Sequence, residues 1–316
     1  MINMNEQNEL VSEKFRIMGT EVSVDLVVSD DFPREDALRL IKGVRNVFLN
    51  NEKIFSRFDA ESELTKINRN LNIEQIVSDE MFEVLQLCLK FNDISRGYFD
   101  PRVIEILENI GYDKDFMSNN PNSFEGREIN LEFIDSDIKQ DISLNEAKKA
   151  VFLQKRIDTT GIAKGWAVDQ AVRYLRNEGW VNFIVDAGGD MFACGVDEYG
   201  EKWKIGIEGL NDDKVALKLQ DEGIATSGIS RKHWQIGEKK FHHLINPKDP
   251  KTFSYDIKTV TVISEKTVEA DGRAKTLVLM GKERGLQFAN ENNIKALFLD
   301  YRGNVYISEK IKEHLI

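Results

Sequence analysis

The run Ala150-Val151-Phe152-Leu153-Gln154-Lys155-Arg156-Ile157 leads directly into Asp158-Thr159-Thr160-Gly161-Ile162-Ala163-Lys164-Gly165-Trp166-Ala167-Val168-Asp169, and this passage decides the fold class. Its apolar first half reads as a strand. Asp158-Thr159-Thr160-Gly161 reads as a turn. From Ile162 to about Arg176, Ala163, Trp166, Ala167, Ala171 and Leu175 recur at helical spacing, and Val181 to Val185 follows as an apolar strand. Strand, turn, helix and strand in succession place the chain in the mixed α and β class. The turn also has chemical meaning. A helix start leaves backbone N–H groups unpaired and points the positive end of the helix dipole outward, which suits a phosphate or pyrophosphate. The competing reading makes Asp158 or Thr159 an N-cap and Gly161 a tight turn. The pattern alone leaves both open, with Lys164 favouring the anion.

Working outward, Val22, Val24, Leu26 and Val28 alternate through a strand within 15–28, preceded by a tail over residues 1–14. Pro33 opens a helix over 34–54 with Leu38, Ile41, Val44, Val47 and Phe48 on one face. Ser78 caps a second helix, running to about Ser95 and ended by Gly97. Tyr98-Phe99-Asp100-Pro101 is a loop that enters a short helix through Ile110. The polar stretch 113–144 reads as surface loops and a subdomain linker. Strands are expected at 190–195, 203–208, 214–220, 223–227 and 258–264, helices at 267–281 and 282–291, and a hairpin over 295–308. Residues 15–316 then form a single domain of two packed lobes, α+β in class, with mixed sheets and flanking helices.

The chain has 316 residues, with 43 Lys+Arg against 54 Asp+Glu, a formal charge of −11 and a pI of about 5.1. That balance excludes nucleic acid as the expected partner, because phosphate backbones are held by clustered Lys and Arg. Hydrophobic residues at 41% and charged residues at 31% suit a globular protein with a sizeable core. No apolar run is long enough for a membrane span, and the first ten residues carry no export signal, so a cytoplasmic location is expected. Cys88 and Cys194 sit in apolar neighbourhoods and read as buried structural thiols.

Other candidate sites are weaker one by one. Val185-Asp186-Ala187-Gly188-Gly189-Asp190 is a glycine turn that lacks a full dinucleotide fingerprint. Thr226-Ser227-Gly228 reads as a hydroxyl-rich hairpin turn or an anion contact. His233, His242 and His243 lack zinc-ligand spacing, while His243, ahead of Leu244-Ile245-Asn246-Pro247, is a candidate general base. Glu269-Ala270-Asp271-Gly272 opens a helix, where carboxylates complement the dipole or hold a hard cation such as Mg2+.

Their order is more telling. Met18-Gly19-Thr20, the block Ser56 to Leu64, Gly97-Tyr98-Phe99-Asp100-Pro101, Asp158 to Asp169, Asp186 to Asp190, Ala225 to Gly228, His243 to Pro247 and Ala270-Asp271 together resemble the ApbE family of FAD:protein FMN transferases, over about residues 15–300. The resemblance implies FAD as donor, Mg2+ as cofactor, and transfer of FMN to a Thr or Ser hydroxyl of a target protein through a phosphoester, with release of AMP. It implies that Met18, Phe58, Tyr98, Phe99, Asp100, Asp158, Lys164 and Ile245 line the flavin nucleotide. Gly161, through its carbonyl, and Asp271 then hold the metal, and His243 is the base. The chain departs from the family's pattern at Lys275, which stands where that pattern has Thr, and at Asn246, which stands where it has Asp. The alternative expectation is an FAD-binding protein or FAD pyrophosphatase that does not flavinylate proteins.

Overall fold

The computed structural model describes residues 8–113, 131–210, 215–230 and 232–316. Its centre is an eight-stranded sheet in the order β1-β2-β6-β7-β10-β13-β14-β15. These strands are β1 (Glu9–Ile17), β2 (Thr20–Val28), β6 (Phe183–Ala187), β7 (Asp190–Cys194), β10 (Glu222–Gly228), β13 (Ile257–Ser264), β14 (Lys295–Asp300) and β15 (Val305–Ile307). Every ladder is antiparallel, where mixed sheets were expected. Three of these ladders, β1–β2, β6–β7 and β14–β15, follow from hairpin connections, which can only be antiparallel. The strand expected within 15–28 is the second arm of a hairpin whose first arm begins at Glu9, inside the segment read as a tail. Thr226-Ser227-Gly228 lies within β10, paired with Thr261, Val260 and Thr259, rather than in a turn.

Three small sheets complete the β structure: β3 (Glu74–Ile76), β5 (Ala150–Leu153) and β4 (Ile142–Asn145) in that order, the pair β8 (Trp203–Gly206) and β9 (Ala216–Leu219), and the pair β11 (His233–Ile236) and β12 (Lys239–His242). The helices are α1 (Arg34–Phe55), α2 (Glu63–Arg69), α3 (Asp79–Ile94), α4 (Ile104–Asn109), α5 (Ile138–Asp141), α6 (Ala163–Asn177), α7 (Thr267–Met280) and α8 (Lys282–Glu291). Much of the stretch read as a linker, 114–130, lies outside the described residues. Its end is packed in place, with Ile138, Asp141 and Ile142 buried. Among the described residues, no helix is long and apolar enough to cross a membrane.

The large sheet is covered on both faces, and its alternation shows how. Val22, Val24 and Leu26 face α1 and α6 in one core with Leu40, Val44, Phe48, Ala167 and Ala171. Val27 points the other way, into a core with Trp203, Leu217, Leu219 and Ile311. A separate core joins α2, α3 and the β3-β5-β4 sheet to the start of α6. Cys88 and Cys194 are buried free thiols in these layers, and burial raises both pKa values, that of Cys194 to about 11.

Two devices lock α6 to α7. A Cβ on Gly165 would come within 2.8 Å of the Val268 Cα, so only glycine permits this approach. From α6, the Asp169 carboxylate accepts the Thr267 and Val268 amides at 2.8 and 3.0 Å and so caps α7, whose preceding residue Lys266 makes no side-chain cap. Asp169→Ala is expected to lower stability by about 2 kcal/mol, the upper end for a lost helix cap. A urea midpoint equal to wild type would refute that role for Asp169.

Candidate active site

The turns at one end of the sheet form the rim of a cavity of about 1030 Å3. Met18-Gly19 joins β1 to β2 with φ of 54° and 69°, and Gly188-Gly189 joins β6 to β7 with φ of 70° and 100°. Two successive positive φ angles define the tight hairpin turn that matches strand twist. The β2–β6 pairing, Val22 opposite Ala187, brings the two turns side by side. Glu52 of α1 accepts the Met18 amide at 2.7 Å and holds this non-glycine residue in its left-handed conformation. The glycine turn is followed by a strand, not a helix, so it is not a dinucleotide fingerprint.

All eleven residues singled out by the resemblance line this one cavity: Met18, Phe58, Tyr98, Phe99, Asp100, Asp158, Gly161, Lys164, His243, Ile245 and Asp271. Phe58 is 40% exposed at the mouth, an aromatic face open to stacking. Behind it, the Arg57 guanidinium lies 4.3 Å from the Phe58 ring centroid and 4.4 Å from that of Tyr112. Arg57 Nε also lies 3.4 Å from the buried Asp158 carboxylate. Asp158 is not the helix cap. Its Oδ1 accepts the Thr160 amide at 2.8 Å, while the residue before α6 is Ile162. Phe99 packs on Phe91 at 5.7 Å between centroids, and the Tyr98 hydroxyl accepts a hydrogen bond from Arg284. Both Asp100 oxygens are engaged internally. Oδ1 accepts the Arg102 amide and Nε at 2.9 and 3.0 Å, and Oδ2 accepts Arg102 Nη2 at 2.7 Å.

His243 arrives on the strand pair β11–β12. In that register His233 pairs with His242, which places Lys232 opposite His243. His243 Nδ1 faces the Lys232 carbonyl at 3.3 Å. A carbonyl only accepts, so Nδ1 carries the proton and Nε2 remains an acceptor. Burial, together with the Lys232 and Lys275 charges, holds His243 well below its ordinary value near 6.5, so the ring is neutral at pH 7. His233 and His242 diverge from it. His242 packs between Phe253 and Tyr255, with burial lowering its pKa to about 4, and His233 faces the Ile229 carbonyl.

Three ammonium groups line the same cavity. Lys164, in the first turn of α6, pairs with Asp190. Lys232 Nζ lies 3.4 Å from the Tyr112 hydroxyl. Lys275 is one turn after Asp271 on α7, and its Nζ lies 2.5 Å from where a Cβ on Gly161 would be. Burial lowers the pKa of Lys275 while Asp271 and Asp158 oppose that fall. A bound polyanion would add to their pull. The neighbouring Thr276 takes no part, since its hydroxyl donates to the Gly272 carbonyl at 2.8 Å. Asn246 closes a turn by accepting the Lys248 amide at 3.0 Å, a task an Asp side chain performs equally.

The donor set does not fit the Mg2+ that the resemblance implies. Among the described residues no group of three or more His, Cys, Asp or Glu side chains converges as a metal cluster, although one or two carboxylates with phosphate oxygens suffice for Mg2+. Lys275 is the obstacle, because its ammonium abuts Gly161, whose carbonyl was the expected ligand. With Lys275 charged, a divalent ion about 4 Å away would meet repulsion on the order of 8 kcal/mol at an effective dielectric of about 20.

Sequence reasoning missed Arg57, Tyr112, Lys232 and Arg284. Arg57 stands inside the quoted Ser56 to Leu64 block. Lys232 was legible only through the β11–β12 hairpin, whose turn carries Gly237.

The family model described as the ApbE family matches residues 18–298. Among curated relatives, the FAD:protein FMN transferase of Vibrio cholerae serotype O1 is 28% identical over 250 residues, covering 77% of this chain and 74% of its own length. The FAD:protein FMN transferase of Haemophilus influenzae is 24% identical over 323 residues, covering 96% and 90%. Among solved structures, the flavin transferase ApbE from Vibrio cholerae superposes with a TM-score of 0.80 at 24% identity, covering 97% of this chain and 99% of that one. The Pseudomonas stutzeri flavinyl transferase ApbE in its apo form gives 0.80 at 23%, covering 99% and 100%.

Proposed function

The chain belongs to the ApbE family, and from that premise we propose that it transfers FMN from FAD to a Thr or Ser hydroxyl of a target protein and releases AMP. The observation that carries the reading is the meeting, in one cavity, of a neutral His243 with a free Nε2 and the ammonium groups of Lys164, Lys232 and Lys275. At about 1030 Å3 the cavity lies at the upper end of the roughly 300–1,000 Å3 of ordinary ligand sites, which suits a dinucleotide. In this reading Phe58, Tyr98, Phe99, Met18 and Ile245 provide apolar and aromatic surface for the flavin nucleotide. Asp158 and Asp100 hold the walls through Arg57 and Arg102. His243 Nε2 takes the acceptor's hydroxyl proton, the hydroxyl oxygen bonds to the FMN phosphorus, and the bond from that phosphorus to the bridging oxygen breaks. The electron pair leaves on AMP. Fixed positive charges facing the pyrophosphate stabilise the developing negative charge.

The test is to incubate the purified chain with FAD and a Thr-containing acceptor peptide, with and without Mg2+, and to follow AMP, free FMN and peptide mass together. Peptide gaining FMN with equimolar AMP is the expected result. AMP with free FMN instead identifies a pyrophosphatase, and bound, unchanged FAD a binding protein. Either replaces the transferase reading.

A further inference from the structure

We infer that Lys275 is the resident cation of this site, its tethered ammonium serving at the pyrophosphate of bound FAD in place of a divalent metal, so that cleavage proceeds without added metal. The inference rests on the FAD-dependent reading above and deepens it.

Position supports it first. Lys275 Nζ stands against Gly161, just ahead of the α6 N-terminus and on the cavity surface. Asp271 precedes it by four residues on α7, the spacing that puts two side chains on one helix face, and the Asp158 carboxylate, on the same cavity, also attracts it. Availability supports it second. Lys164 is paired with Asp190, and Lys232 leans on Tyr112. Among the described residues, Lys275 has no hydrogen-bond or ion-pair partner, although two carboxylates flank it. Its amine therefore stands at the cavity wall with no anion engaged, and a bound polyanion would favour its charged form. Space supports it third. Glycine at 161 leaves room for that ammonium, since a side chain there would meet Lys275 and Phe99. An ammonium changes no bond in the reaction. It lies beside the anionic oxygens as the bridging P–O bond breaks, and the charge passing to AMP is met by a group already in place.

The experiment uses the full chain and two variants, Lys275→Thr and Lys275→Met, the latter keeping most of the stem's volume. AMP release from FAD is measured with the Thr-containing acceptor peptide present, in EDTA and in Mg2+, with FAD affinity in EDTA and Mg2+ binding by calorimetry in parallel. Wild type is expected to release AMP at the same rate in both media. Lys275→Thr is expected to lose about 10²–10³-fold in EDTA, the cost of removing one preorganised charge-stabilising donor, and to recover in Mg2+ with a saturable calorimetric signal that wild type lacks. Lys275→Met is expected to weaken FAD binding in EDTA at least about tenfold, as loss of a charge-assisted contact does. Wild-type activity that EDTA abolishes overturns the inference and leaves the flavin reading standing. Wild type that binds FAD but releases no AMP overturns the transferase reading instead. In that case the binding arm decides, and unchanged FAD affinity in Lys275→Met overturns the inference. No FAD binding by wild type overturns both.

Discussion

His243→Ala is expected to reduce FMN transfer by about 10²–10⁴-fold, the usual worth of a general base, while FAD affinity stays at the wild-type value. His243→Gln, which keeps a polar side chain of similar reach but cannot take the proton, is expected to behave alike. Full transfer in either variant would give the base role to another group. The pH dependence follows from the direction of the shift. Burial and the Lys232 and Lys275 charges keep His243 unprotonated to well below 6.5. Because the neutral form is the base, kcat/KM is expected to be level from neutral pH down past 6.5 and to fall only as pH drops through the lowered pKa. The same shift bears on stability. The unfolded chain binds the proton more readily than the folded one, so this contribution is complete above the unfolded value and is lost as pH falls through the folded one. An acid limb centred near 6.5 would contradict the buried, charge-flanked placement.

The largest loss of stability is expected at Arg102, which lies 5% exposed between the buried carboxylates of Asp100 and Asp141. Arg102→Met strands Asp100 and leaves Asp141 only Ser136 and Lys155 at 3.4 Å, and breaking a buried pair in this way costs about 3–5 kcal/mol. The effect reaches the active site, because Pro101, between Asp100 and Arg102, accepts the Asp158 amide at 2.7 Å. Adding Asp100→Asn and Asp141→Asn to Arg102→Met is expected to restore most of the loss, since no buried charge is then left unpaired. A denaturation midpoint for the single variant within error of wild type would remove the argument. Burial alone would raise the Asp141 pKa, but Ser136, Arg102 and Lys155 more than reverse this and hold it lowered. Its stabilising share is therefore complete above the unfolded value of about 3.8 and disappears as pH falls below it.

The fold was legible where hydrophobic period was strong. β2, α1, α3 and α6 carry regular apolar spacing, and the structure places them within a few residues of the expected bounds. β1 was hidden because its exposed positions carry Ser12, Glu13 and Lys14, so local composition resembles a tail until Val28 and its neighbours pair with it. Thr226 to Gly228 has turn residues but strand geometry, imposed by the β13 ladder, which pairs all three after the β7 ladder has ended at Ala225. The set of residues that the structure gathers around one cavity was legible through motif order alone; no single motif had the needed specificity. The electrostatics were not. That Asp100 is saturated by Arg102, that Lys232 lies opposite His243, and that Lys275 of α7 meets Gly161 in the turn before α6 are long-range facts set by packing.

The antiparallel ladders leave two outer strands, β1 and β15. β15 is only three residues long, and β1 places exposed Glu9, Ser12, Glu13 and Lys14 along its length. Brevity at one margin and charge at the other are the features by which native sheets refuse further strands. With a net charge of −11 adding mutual repulsion, the margins of the large sheet give crowded copies a poor template on which to grow an aggregate.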